Sequence, residues 1–334
     1  MDIDTSGPNQ AATSGDSGEV TRAEGLWFED CGLIIQAENT IFRISRDFLA
    51  IQSPIFHDML SLPAPGDADM RDGCPFVRLP DAAVDVTVFL KALIYHDFFE
   101  PAPSPTTMEI LTGVLRMSHK YEVDSLRKRA LIHISRFHPT GLLDWEQLDD
   151  EASPWFQELL GQTGPSFLPI IILARQLSID WILPTAFYRV CRYTSEEILI
   201  AGFTSLDLDT TDKILCVAAS RMLETTSVTE MLEFLWSPQV IDGCGSPATC
   251  FTSRFLTRRL AEDWRKRASD IAPLMPLDVW MGNDWDHLEV CDSCLSTMKT
   301  THRQAKELFW NKLPKMFGLP DWVELEKRKA EALD

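Results

Sequence analysis

The sequence is short of basic residues, of signature loops for catalysis and of any apolar run that could span a bilayer, and each shortage excludes a class. Lysine and arginine number 31 against 50 acidic residues, a net charge of -19, which argues against a broad phosphate-binding surface because nonspecific nucleic-acid binding needs concentrated Lys and Arg. A local basic stripe, RRLAEDWRKRA at 258–268, is interrupted by acidic residues and reads as a solvated helix face. The strongest apolar run, FLPIIILARQLSIDWIL at 167–183, contains Arg175 and Asp180 and is too short to cross a membrane. No asparagine lies in an N-x-S/T sequon, and the first residues lack the basic start and apolar run of a signal peptide. Eight cysteines in 334 residues do not make a small secreted disulfide framework. These absences predict a soluble intracellular protein, in the cytoplasm or nucleus, with neither a nucleic-acid nor a membrane partner.

Catalytic signatures are equally scarce. There is no P-loop, G-x-S-x-G, G-x-G-x-x-G or H-E-x-x-H. A GDSG at 15–18 lies in a polar tail without the scaffold of a protease loop. His133 and His138 read as surface or capping residues near a helix end. No enzymatic activity is expected. Trp181, Trp236, Trp264, Trp280, Trp285, Trp310 and Trp322 crowd the second half and read as anchors of a helical core.

Residues 1–23 are Ser, Gly, Asp and Thr with almost no apolar content, so they cannot repay the entropy of ordering and are expected to form a disordered tail. CGLIIQ and TIFRI flank Ala37, Glu38 and Asn39 as a β-hairpin. Next comes FRISRDFLAIQSPIFHDML at 42–60, where Pro54 forbids one continuous helix because it lacks an N–H and its ring collides with the preceding turn. Ser45 opens a first short helix; Ser53 caps a second, with Pro54 at the tolerated first position. A loop follows at 63–73, then a strand at 76–81. Val86, Phe89, Leu90, Leu93 and Ile94 mark a helical stripe. After the break FFEPAPSPTT, one helix runs through Ile110, Val114, Met117 and Tyr121 and another through Leu126, Ala130, Ile134 and Phe137.

This order of elements, with its residues, resembles the BTB/POZ family over about 24–140. EDCGLIIQ, with Asp30, is similar to the family's first strand, and FRISRDFLAIQSPIFHDML to its helical hairpin. VRLPDAAVDVTVFLKALIYHDFF is similar to its strand, Asp turn and helix, and LRMSHKYEVDSLRKRA to its helix pair joined at a Lys-Tyr-x-Val corner. Ser45-Arg46 stands where many relatives carry a histidine. The resemblance implies an α+β BTB/POZ fold, a small sheet with a helical cluster. It also implies a protein-binding role, as a dimer or as an adaptor to a cullin-type ubiquitin ligase scaffold, with a partner surface around Phe56, His57, Asp58 and Met59. The swapped strand and apolar helix that precede the domain in dimeric transcription-factor relatives have no counterpart in 1–23, and homodimerisation is left open.

Residues 141–334 read as a mainly α-helical region, with capping-box spacings at Thr194/Glu197 and Ser227/Glu230. Within it, LEVCDSCL places Cys291 and Cys294 at C-x-x-C, and CGSPATC supplies Cys244 and Cys250 on a Gly/Pro-containing loop. Two sulfurs from each segment would complete a tetrahedral structural zinc site. His287 and His302 are alternative ligands for one position. Ordinary buried thiols are the plainer explanation, and a redox C-x-x-C would need a thioredoxin-like pattern that is missing. The expectation is thus a BTB-based interaction adaptor with a zinc-pinned helical region. The alternative is an intracellular metal-dependent or redox protein whose BTB unit serves assembly.

Overall fold

In the computed structural model, the described residues are 20–62, 70–150, 168–204, 208–236, 240–268 and 275–334. The GDSG stretch, nearly all of the expected tail and the start of the 63–73 loop lie outside them. The chain is α+β, with one small mixed sheet and many helices, and it divides into two compact units. The first comprises residues through Phe98 together with Lys120–Val123; the second comprises Phe99–His119 and Asp124–Asp334.

In the first unit, β2 (Leu33–Ala37) and β3 (Thr40–Ile44) form the hairpin, pairing antiparallel from Leu33 with Ile44 to Ala37 with Thr40. Ala37 belongs to the strand, so the loop is only Glu38 and Asn39. Glu38 turns the chain in the left-handed region at φ 50°, supported by the Gln36 Nε2–H donating to its carbonyl at 2.7 Å. β5 (Cys74–Leu79) runs parallel to β2, and the two-residue β4 (Met70–Arg71) closes the edge, giving the order β1-β3-β2-β5-β4. The expected loop at 63–73 therefore ends in a strand and a tight turn, with Asp72 and Gly73 both at positive φ.

β1 (Thr21–Trp27) corrects the expected tail, whose last residues are a strand paired parallel with β3. The pattern was hidden because the register shifts between Arg22 and Trp27. Gly25 sits there at φ 72°, a conformation that costs a glycine little. The irregularity lets Ala23 and Leu26, three residues apart, both point into the core, which breaks the simple alternation of a strand. The Tyr95 hydroxyl donates to the Gly25 carbonyl at 2.6 Å and holds the irregular segment.

The Ser-Pro break forms as its chemistry requires. α1 (Arg46–Gln52) is capped by Ser45, whose Oγ accepts from the Phe48 N–H at 3.3 Å. α2 (Pro54–Ser61) is capped by Ser53, whose Oγ accepts from the Phe56 N–H at 3.1 Å. Ser53 also closes α1, its own N–H donating to the Leu49 carbonyl at 3.0 Å. One buried residue thus ends one helix and starts the next. α3 (Ala83–Ile94) buries Val86, Val88, Phe89 and Leu90.

The second unit is built from helices α4 (Met108–Lys120, up to His119), α5 (Asp124–Phe137), α6 (Leu142–Asp150), α7 (Leu168–Leu177), α8 (Leu183–Val190), α9 (Ser195–Thr204), α10 (Thr210–Thr229), α11 (Glu233–Trp236), α12 (Pro247–Ala268), α13 (Asp292–Met316) and α14 (Trp322–Leu333). Its core stacks aromatic rings: Trp145 lies edge-on to Tyr188, and Phe187 stacks on Phe317 at 5.0 Å. The indole N–H of Trp310 reaches the Thr140 carbonyl at 2.9 Å, and that of Trp322 reaches the Trp310 carbonyl at 2.7 Å. Trp181, Trp280 and Trp310 are buried as expected of anchors, whereas Trp236 is about half exposed; the Trp264 side chain lies outside the described residues.

The two histidines and Ser227 depart from expectation, while the Thr194/Glu197 box forms as expected. His133 and His138 are buried, not surface groups; His133 Nε2 lies 2.8 Å from the Glu100 carbonyl and His138 Nδ1 lies 3.1 Å from Thr185 Oγ1. The Thr194/Glu197 box forms reciprocally, the Thr194 N–H donating to Glu197 Oε2 at 2.8 Å and the Glu197 N–H to Thr194 Oγ1 at 3.2 Å. Ser227 does not start a helix. It lies inside α10 and donates to the Leu223 carbonyl at 2.9 Å, the back-bond a serine makes within a helix.

Candidate metal centre

Two segments distant in sequence bring four thiols together. Cys244 follows a tight turn in which its N–H donates to the Ile241 carbonyl at 3.0 Å. Gly243 stands in that turn at φ 78°, where a Cβ would meet Ser293 Oγ at 3.1 Å. Cys250 lies in the first turn of α12, its N–H donating to the Ser246 carbonyl at 2.9 Å. Cys291 is the N-cap of α13, and Cys294 sits three residues later on the first turn. Ser293 fastens the two segments, its hydroxyl donating to the Asp242 carbonyl at 3.0 Å.

The sulfurs of Cys244, Cys250, Cys291 and Cys294 all lie within 4.8 Å of one another. Cys291 Sγ lies 3.9 Å from Cys244 Sγ, and all four are free thiols. Tetrahedral ligands at about 2.3 Å from one ion stand about 3.8 Å apart, whereas a disulfide needs about 2.05 Å. Both helices present their N-terminal ends to the cluster, and the free N–H groups and dipole there favour negative charge. The Cys291 N–H donates to Cys250 Sγ at 3.3 Å.

Titration follows the same geometry. The Cys294 and Gly245 backbone N–H groups point at the Cys291 sulfur and hold its pKa down at about 6. Burial, together with the neighbouring thiols, pushes Cys294 well above the ordinary thiol range. Buried Arg254, one turn after Cys250 on α12, lines the 260 Å³ cavity beside the thiols.

Neither histidine joins the cluster. His287 ends a short 3-10 turn at Gly282–His287. His302 is buried on α13, with Nδ1 3.2 Å from the Met231 carbonyl and its ring against Phe234 and Trp285; burial depresses its pKa to about 4. Gly243 and Ser293 were not singled out from sequence. Glycine before the first cysteine and serine inside the C-x-x-C were the available signals.

The four residues expected at a partner surface are divided by the fold. Phe56 is buried and stacked on Tyr121 at a centroid distance of 4.5 Å, so it is part of the core and not of a surface. His57 and Asp58 are exposed, 3.1 Å apart, and Met59 is half-buried. Comparison with known proteins finds no matching family model, curated protein or solved structure.

Proposed function

We propose that this chain is an intracellular interaction adaptor, in which a BTB-like unit binds a protein partner and the helical unit is held by a structural zinc ion. The zinc reading is carried by one observation: four thiols from two distant segments converge within 4.8 Å. Four protein ligands fill a tetrahedral zinc site and leave no open position for water or substrate, so the ion's role is structural rather than catalytic. The C-x5-C arm works because Pro247 starts a helix that carries Cys250 back toward Cys244.

The adaptor reading is supported by the α1–α2 pair, which is anchored by buried Leu49 and Phe56 while Ile51, Ile55 and Leu62 stay exposed beside His57 and Asp58. Exposed large apolar groups grouped with polar ones suit a partner site, and a cullin-type scaffold is the partner class that the BTB resemblance implies. Among the described residues no helix is long and apolar enough to cross a membrane.

Two measurements test the proposal. Native mass spectrometry of the full chain should show one zinc per polypeptide, and affinity purification of tagged full-length protein should recover a cullin-type scaffold. Metal-free protein of unchanged thermal stability would overturn the first part. Recovery of no scaffold by a folded, zinc-loaded chain would overturn the second.

A further inference from the structure

The four thiols differ in what reaches them. Cys250 and Cys294 are buried, whereas Cys244 and Cys291 are half-buried. The 260 Å³ cavity beside the cluster is lined by Cys244, Cys250 and Cys294 and by Val240, Pro247 and Ala248, the last three exposed. That volume is several times the about 30 Å³ that one water takes in the liquid, so a molecule as small as a peroxide fits. Cys291 lies outside the lining, but its sulfur is 3.9 Å from that of Cys244. The half-buried thiol on the cavity therefore has a second half-buried thiol beside it.

We propose that the centre is a peroxide-responsive zinc-release site, in which Cys244 is oxidised first and Cys291 closes a disulfide onto it. The inference rests on the zinc reading above and adds a chemistry by which the ion is let go. Oxidation of a thiolate follows its exposure. A centre that only braces the fold is best served by covered sulfurs, and here an opening reaches three of the four.

The step balances with a hydroperoxide, either hydrogen peroxide or an alkyl peroxide, as the oxidant. The Cys244 thiolate attacks the outer oxygen; an S–O bond forms as the O–O bond breaks, and the departing oxygen takes a proton and leaves as water or an alcohol. The Cys291 thiolate then attacks the Cys244 sulfur, forming the S–S bond and expelling hydroxide, which takes a second proton and leaves as water. Two electrons pass from the two sulfurs to the peroxide. Two protein ligands remain where a structural zinc site needs four. The ion leaves in water, and Cys250 and Cys294 each take up a proton. Arg254, buried on α12, lines the same cavity, and a fixed cation there favours the negative oxygen that departs as the O–O bond breaks.

Geometry favours this pair over the local pair Cys291 and Cys294, because Cys294 is buried. Closing the 3.9 Å between the Cys244 and Cys291 sulfurs to the about 2.05 Å of a disulfide asks for a movement of under about 2 Å. The Ser293 hydroxyl donates to the Asp242 carbonyl at 3.0 Å, so the segment carrying Cys244 is held against the start of α13 by a contact that does not involve the thiols. The disulfide then replaces zinc as the tie between two positions 47 residues apart.

The test uses the zinc-loaded full chain. Native mass spectrometry first counts the metal: a chain that binds none overturns the zinc reading itself, and this inference with it. From a chain holding one zinc, a tenfold molar excess of hydrogen peroxide should release the ion, as read with a chromogenic chelator, and peptide mapping should find Cys244 joined to Cys291. Dimedone, which captures sulfenic acids, should label Cys244 when added with the peroxide. A dithiol reductant followed by zinc should restore the loaded protein. Ala248→Trp, at an exposed position on the cavity, should keep its zinc content and slow release at least tenfold. Zinc retained under peroxide, a disulfide mapped between Cys291 and Cys294 or between Cys244 and Cys250, a dimedone label on Cys291, or release from Ala248→Trp at the wild-type rate would overturn this inference and leave the structural zinc reading standing.

Discussion

The Cys291 N–H donates to the Cys250 sulfur across 3.3 Å, joining positions 41 residues apart. Cys291 ends an extended segment and Cys250 sits on the first turn of a helix, so the bond sets two helix starts against one another. A cation held by all four thiols would lock that arrangement. Substituting Cys294→Ser should therefore release zinc and lower the stability of the helical unit by on the order of 3–5 kcal/mol. That is less than the about 10–16 kcal/mol of zinc-dependent peptides, because this unit has an aromatic core of its own. Metal content by atomic emission and thermal unfolding of the variant check both parts.

Acid should weaken the helical unit between about pH 6.5 and pH 4. His302 is held neutral by burial, with its pKa depressed to about 4, and burial lowers His138 in the same direction. The unfolded chain binds a proton near pH 6.5 and the folded one does not, so stability is full above 6.5 and falls as the pH drops toward 4. For His302 alone the loss amounts to about 3 kcal/mol. Urea midpoints measured across this range should slope downward with acid, and His302→Gln should flatten the slope.

Tyr121 ties the first unit together. Its hydroxyl donates to Asp81 Oδ2 at 2.7 Å while its ring stacks on Phe56, and Lys120 meets the other Asp81 oxygen at 2.6 Å. Burial, reinforced by the Asp81 hydrogen bond, pushes the phenol pKa far above its usual 10. The folded state thus refuses to ionise, and this contribution is complete below pH 10 and lost as the pH rises beyond it. Tyr121→Phe should cost about 1–3 kcal/mol and remove that alkaline dependence, as read by circular dichroism melts at pH 8 and pH 11.

Asp58 is exposed beside His57 on α2, above the buried Phe56. Asp58→Lys should leave the melting temperature within about 1 °C of wild type, since isolated surface changes are worth about 0.5 kcal/mol or less, while weakening capture of the proposed protein partner at least tenfold. Quantitative pull-down of full-length variant and wild type measures the difference. Unchanged capture would remove His57 and Asp58 from the partner surface.

Local chemistry was legible wherever a residue acts on its neighbours. Ser53 and Pro54 specify a helix break through a hydroxyl, a missing N–H and a ring, all within four residues, and Thr194 and Glu197 specify a helix start in the same way. The hairpin at 33–44 could be read from two short apolar runs that flank polar turn residues. The same kind of reading failed at Ser227, because a capping box and a mid-helix serine followed by a glutamate look alike until the length of the helix is known. It failed at β1 because Gly25 shifts the register and places Ala23 and Leu26 on one face.

The cysteine pair at C-x-x-C named half of the candidate site, and the looser pair at 244 and 250 became its complement only in three dimensions. By itself the sequence determined the short-range elements, the absence of familiar catalytic loops and the identity of the four thiols. The tertiary structure decided that those thiols meet, that His302 is withdrawn into an aromatic core, that Phe56 is buried, and that α12 turns Arg254 and Arg258 inward. The physical reason is common to all four: which face of a helix is buried depends on what distant chain packs against it, and local spacing contains no term for that.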